Sequence, residues 1–252
     1  MNFCGKEYLL QLLRYPALHP VPAAAGCFLL FLVLWLYPVN SFVTRGLLLL
    51  SLAGGAGGLL FIFRNVLKRK TFLLGAAAAG MILSGICLCF YSRSRLGNTE
   101  KYYVQELRSY AGTSYLWGGE NALGIDCSGL PRKAMRNALF KSGAKTLNLH
   151  LWKLAFENYL YDASAKALAE ETRNTLFCLG LKGSVASAPE QQLRPGDLAV
   201  TCDGRHVMVF LAPGEWISAD PGAGKVIIEN PVRSKNPWFS VPVRFYRFSL
   251  FK

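Results

Sequence analysis

Tyr115-Leu116-Trp117-Gly118-Gly119-Glu120-Asn121-Ala122-Leu123-Gly124-Ile125-Asp126-Cys127-Ser128-Gly129-Leu130 is the stretch on which the reading of the chain turns. It sets one cysteine where a glycine-rich loop runs into a helical pattern that continues to about residue 140. A helix amino terminus offers free N–H groups and a partial positive charge, which favour a thiolate over a thiol. Glycines upstream let the backbone turn sharply and let another molecule come close. Cys127 is therefore the candidate nucleophile, Asp126 reads as the helix cap, and Trp117, Gly118 and Gly119 read as loop packing and turn geometry.

A cysteine nucleophile needs a base. The histidines are His19, His150 and His206. His19 borders an apolar run and His150 lies in a polar helical stretch, whereas His206 opens a strand just after the Asp203-Gly204 hairpin signal. His206 is the candidate general base and acid. A third group should orient the imidazole through its second nitrogen. Across the Pro213-Gly214 turn, Asp220 and Ser218 are two residues apart and share one face of the next strand. Asp220 is preferred because a carboxylate stabilises imidazolium better than a hydroxyl, and Ser218 is the alternative.

Outward from this stretch, the composition divides the chain in two. Of the 252 residues 52% are hydrophobic, concentrated in the first 90 positions. Residues 1–95 carry nine Lys and Arg against Glu7, a net +8, and residues 96–252 carry nineteen against fourteen acids, a net +5. Apolar runs at about 21–39, 46–63 and 72–90 contain no Lys, Arg, Asp or Glu. Each has the 18 to 20 residues, roughly, that a bilayer crossing needs, so residues 1–95 are expected to be a membrane anchor of three transmembrane helices. Glycines 54, 55, 57 and 58 in the second run and small residues 75–80 in the third suit close helix packing between these two. Lys6, Arg14, Arg64, Lys68, Arg69 and Lys70 on one side outnumber Arg45, Arg93 and Arg95 on the other. That bias predicts a cytoplasmic amino terminus and an extracytoplasmic domain over residues 96–252.

The domain reads as α+β. Helices are expected at 99–112 and 127–140, a largely helical insertion at about 146–175, and an antiparallel meander from residue 198 onward that coils into a small barrel. No basic stripe interleaved with aromatics points to nucleic acid. No cysteine or histidine spacing fits a metal, and no cofactor is expected. An oxidising location would let Cys178 and Cys202 pair and leave Cys127 free; two buried thiols is the other reading.

Tyr-x-Trp-Gly-Gly, Gly-x-Asp-Cys-Ser-Gly-Leu, and Pro-Gly-Asp-Leu before a His-Val strand resemble, in that order, the motifs of the NlpC/P60 family of papain-like cysteine peptidases, over roughly residues 100–250. The resemblance implies a cell-wall endopeptidase or amidase acting on peptidoglycan stem peptides, anchored in the lipid bilayer. It implies Cys127 as nucleophile, His206 as base and then acid, and Tyr115 as a contact to the oxyanion or substrate. The family's third residue is usually histidine, and an ungapped count from His206 lands on Ser218, a departure that leaves an inactive wall-binding or scaffold module as one alternative; the other, which the resemblance to this fold's relatives and the membrane anchor imply, is a thioester-based acyltransferase acting on lipid.

Overall fold

A computed structural model describes residues 20–63, 68, 75, 78–82, 84–85, 96–161 and 163–252. The chain separates into two compact units. The first contains helices α1 (Pro20–Leu36) and α2 (Phe42–Ile62), which pack on one another. Small residues make that approach possible: a Cβ added at Gly54 would lie 2.9 Å from Cys27 Sγ. Of the four glycines, Gly54 and Gly55 lie against Cys27 of α1, whereas a Cβ at Gly57 would meet nothing within 4 Å; the third run, 72–90, lies largely outside the described residues.

The expectation of three spans is corrected here. Among the described residues one helix, Phe42–Ile62, is long and apolar enough to cross a membrane. At roughly 1.5 Å per residue its 21 residues cover the ~30 Å hydrocarbon core. The 17 residues of α1 fall short, because Pro38 follows closely and cannot continue a helix. Helix α2 starts earlier than the apolar run expected at 46–63. Ser41 and Thr44 form a reciprocal capping box that takes Arg45 into the first turn.

The second unit holds residues 87–252 and also Pro38–Asn40. Its elements are α3 (Thr99–Ser109), β1 (Glu120–Asn121), β2 (Gly124–Ile125), α4 (Gly129–Thr146), α5 (Leu149–Leu160), α6 (Ala165–Ala169), β3 (Leu176–Gly183), β4 (Leu198–Thr201), β5 (Val207–Ala212), β6 (Glu215–Asp220), β7 (Lys225–Glu229) and β8 (Val243–Phe248). Beyond the small β1–β2 hairpin, six antiparallel strands form one sheet in the order β3-β8-β4-β5-β6-β7. This is an open sheet, not the barrel expected from the meander.

Strand β3 lies between the expected insertion and the expected meander. Gly180 at φ +74° and a bulge between Cys178 and Lys182 weaken its local preference. Pairing with β8 makes it an edge strand. The expected insertion resolves into the end of α4, then α5 and α6. Cys178 on β3 and Cys202 in the turn after β4 are both free and exposed, so no disulfide joins them.

The sheet is buried on both faces. Val207, Val209, Leu211, Ile217 and Ala219 pack with Leu130, Ala134 and Ala138 of α4 in one core. Met208, Phe210, Trp216 and Phe245 form a second core with Phe239 on the opposite face. Period-two alternation along β5 thus feeds two different layers.

Candidate active site

The loop before α4 is held at one point by several bonds. Asp126 Oδ1 accepts from the backbone N–H groups of Ser128 at 3.0 Å and Gly129 at 2.5 Å, and from Ser128 Oγ at 3.0 Å. Its Oδ2 accepts from Gly118 N–H at 2.9 Å, and its own N–H donates to the Gly119 carbonyl at 3.1 Å. Asp126 therefore caps the first turn and ties it to the glycine loop. A Cβ at Gly129 would stand 2.4 Å from Gly119 O, so only glycine fits. Trp117, expected to pack in this loop, is instead 83% exposed.

Cys127 follows Asp126 and is 9% exposed. Its thiol contacts the Arg205 carbonyl at 3.8 Å. Burial first, then the Asp126 charge, push its pKa up to about 12, against the N–H groups of Val207, Ser128 and Cys127 itself. The helix terminus does not outweigh burial here. The neighbouring Tyr115 hydroxyl is pushed up to about 12 by burial, Cys127, Asp126 and Asp220.

His206 is fixed through its backbone. Its N–H donates to Thr201 Oγ1 at 3.0 Å, and its carbonyl accepts from Thr201 N–H at 3.1 Å across the Asp203-Gly204 turn. The ring is stacked on Trp238, centroids 4.4 Å apart and planes at 18°. Only 1% of the residue is exposed, and the ring Nε2 is buried without a hydrogen-bond partner. Burial pulls its pKa down to about 4, opposed by the Asp220 charge. Thiol and imidazole are thus both neutral at pH 7. No hydrogen bond among the described residues joins them; the thiol lies against the backbone on either side of His206.

Strand register separates the two candidates for the third position. Val209 pairs with Ile217 and Phe210 with Trp216. Stepping down both strands from the first pair sets Met208 across from Ser218 and His206 across from Asp220. Both candidates are buried. Asp220 does not bond the ring: Oδ1 accepts from Ala223 N–H at 2.8 Å and Oδ2 from Asn236 Nδ2 at 2.6 Å. Asn236 Oδ1 in turn accepts from Trp238 N–H at 3.1 Å.

Sequence reasoning missed Asn236 and Trp238, which sit in an irregular stretch whose local pattern carries no signal. It also missed Glu120, buried between Arg132 at 2.6 Å and Arg136 at 3.2 Å on the helix that follows Cys127. The spacing of those two arginines, four apart on one helix face, was the available clue. A cavity of about 460 Å³ opens beside α4 and α5, lined in part by Arg132, Asn158 and Arg173 but by neither Cys127 nor His206. Among the described residues no cluster of His, Cys, Asp and Glu fits a metal ion.

The model of the NlpC/P60 family matches residues 112–241, just over half of the chain. The chain belongs to the NlpC/P60 family. Several solved structures match this chain at low identity. NlpC1 from Trichomonas vaginalis is 17% identical, with 60% of this chain and 44% of that one covered and a TM-score of 0.37. The NlpC/p60 domain of the peptidoglycan hydrolase SagA is 23% identical over 58% of this chain and 96% of that one, TM-score 0.34. The peptidoglycan hydrolase RipB from Mycobacterium tuberculosis is 18% identical over 72% and 88%, TM-score 0.36. Likeness at this level carries nothing about substrate or bond. This chain spans less than half the length of NlpC1. A comparison with curated proteins returned no match.

Proposed function

We propose that this NlpC/P60 protein is a membrane-anchored cysteine hydrolase that cleaves an amide bond in peptidoglycan stem peptides outside the membrane. The observation that carries the reading is the Cys127 thiol, at the start of α4, lying against the backbone that flanks His206. A neutral imidazole is the form that can accept a proton, which burial maintains. In the reaction His206 takes the thiol proton as sulfur attacks the amide carbonyl. The oxyanion is met by the Cys127 backbone N–H and the Tyr115 hydroxyl. Collapse breaks the C–N bond, the amine leaves with the His206 proton, and a thioester remains. Water, deprotonated by His206, then releases the acid and restores the thiol. Asp220 stabilises the imidazolium by charge across the strand pair. Peptidoglycan as substrate rests on membership of the family.

Purified full chain in detergent is expected to convert muropeptides to shorter products, read by mass spectrometry, and Cys127→Ala to abolish the conversion. Undiminished cleavage by the variant would eliminate the mechanism. A second reading, an inactive wall-binding module, is favoured by the unpartnered Nε2 and the absent ring-to-thiol bond. It predicts muropeptide binding with no turnover by either protein.

A further inference from the structure

Pro38–Asn40, between the two apolar helices in sequence, lies outside the residues that the family model matches, yet it belongs to the catalytic unit. Val39 forms an antiparallel bridge with Gly119. Asn40 N–H donates to the Gly118 carbonyl at 3.2 Å, and Glu120 N–H donates to the Pro38 carbonyl at 3.0 Å. The segment thus adds a short strand to the β1 edge. Its side chains take part too: Val39 Cγ1 lies against Gly118, and Asn40 Nδ2 donates to Glu120 Oε2 at 2.5 Å.

What this strand holds is the frame of Cys127. Gly118 and Gly119 bind Asp126 through its carboxylate and its amide, and Asp126 caps the turn that Cys127 enters. Glu120 grips Arg132 and Arg136, one and two turns further along α4. Both routes from Pro38–Asn40 converge on the helix end that carries the sulfur. We propose that Asn40 is a positioning residue for the nucleophile, setting Cys127 through Glu120 and the Gly118–Gly119 loop; this rests on the reading of Cys127 as the attacking group.

The experiment uses the full chain and two variants, Asn40→Asp and Asn40→Ala. Asn40→Asp sets two carboxylates where an amide met one. Two rates are read: muropeptide turnover, separated into kcat and KM, and alkylation of Cys127 by iodoacetamide, followed by mass spectrometry of its peptide. Asn40→Asp is expected to lower kcat and alkylation together by about 10- to 100-fold with KM little changed, as small misplacements of a reacting group do. The loss should shrink as pH falls and one of the paired carboxyls takes a proton.

A wild-type alkylation rate and kcat in Asn40→Asp overturns the proposal. If Asn40→Asp does not accumulate as folded protein, Asn40→Ala decides: slowed alkylation supports the proposal and a wild-type rate overturns it. Cys127→Ala keeps the two questions apart. If that variant still cleaves, the reading of Cys127 has failed; if it is dead while the Asn40 variants match wild type, only the positioning role has.

Discussion

At His206 an imidazole with an ordinary pKa of 6.5 is held at about 4, because the ring is stacked under Trp238 and shut off from water. A lowered folded-state pKa means that the unfolded chain binds the proton more tightly. The stability His206 contributes is therefore complete above about pH 6.5 and is lost as pH falls toward 4. Between pH 7 and pH 4.5 the loss from this residue is about 2 to 3 kcal/mol, at about 1.4 kcal/mol per unit of displacement. Urea unfolding of the wild type and of His206→Gln at the two pH values isolates it, since other titrating groups are common to both. The wild type is expected to lose more, and an equal loss would show that the ring is not sequestered. The same burial sets the chemistry at Cys127, whose thiol stays protonated until a base takes its proton.

The element that most depends on buried charge is the start of α4. Glu120 is 3% exposed; burial alone would raise its pKa, but Arg132, Arg136 and the Asn40 amide together hold it below its ordinary value. Removing the acid leaves two buried guanidinium groups facing one another. Glu120→Ala is expected to cost about 3 to 5 kcal/mol in chemical denaturation, the range for breaking a buried ion pair by deleting one partner. A cost below about 1 kcal/mol, as for an exposed pair, would mean that the arginines find water. Asp197 makes a comparable closure elsewhere, accepting both Arg247 Nε and Nη2 at 2.7 Å and capping the Arg194 turn at 2.8 Å. Asp197, in the turn ahead of β4, thereby ties β4 to β8.

For the whole molecule, the placement of the NlpC/P60 unit is open to a chemical test that its own cysteines provide. Cys178 and Cys202 are free and exposed, so a membrane-impermeant maleimide applied to intact cells or spheroplasts should label both if the unit lies outside. Protection of both until the membrane is permeabilised would place the unit inside and remove peptidoglycan as its substrate. What the sequence determined by itself was local: a cysteine ahead of a helical period, a cap at Asp126, a hairpin at Asp203-Gly204, the meander of β4 to β8, and motifs in family order. Each depends on backbone preference and short-range pattern, which neighbouring residues specify. What only the tertiary structure decided was distant: the β3 edge strand made by pairing with β8, the packing of Gly54 and Gly55 of α2 on Cys27 of α1, and the burial that keeps thiol and imidazole neutral. Strand register, rather than an ungapped count, set Asp220 and not Ser218 across from His206. Glu120, Asn40 and Trp238 were illegible for the same reason, since charge pairing and stacking join residues that are far apart in the chain and meet only once it has folded.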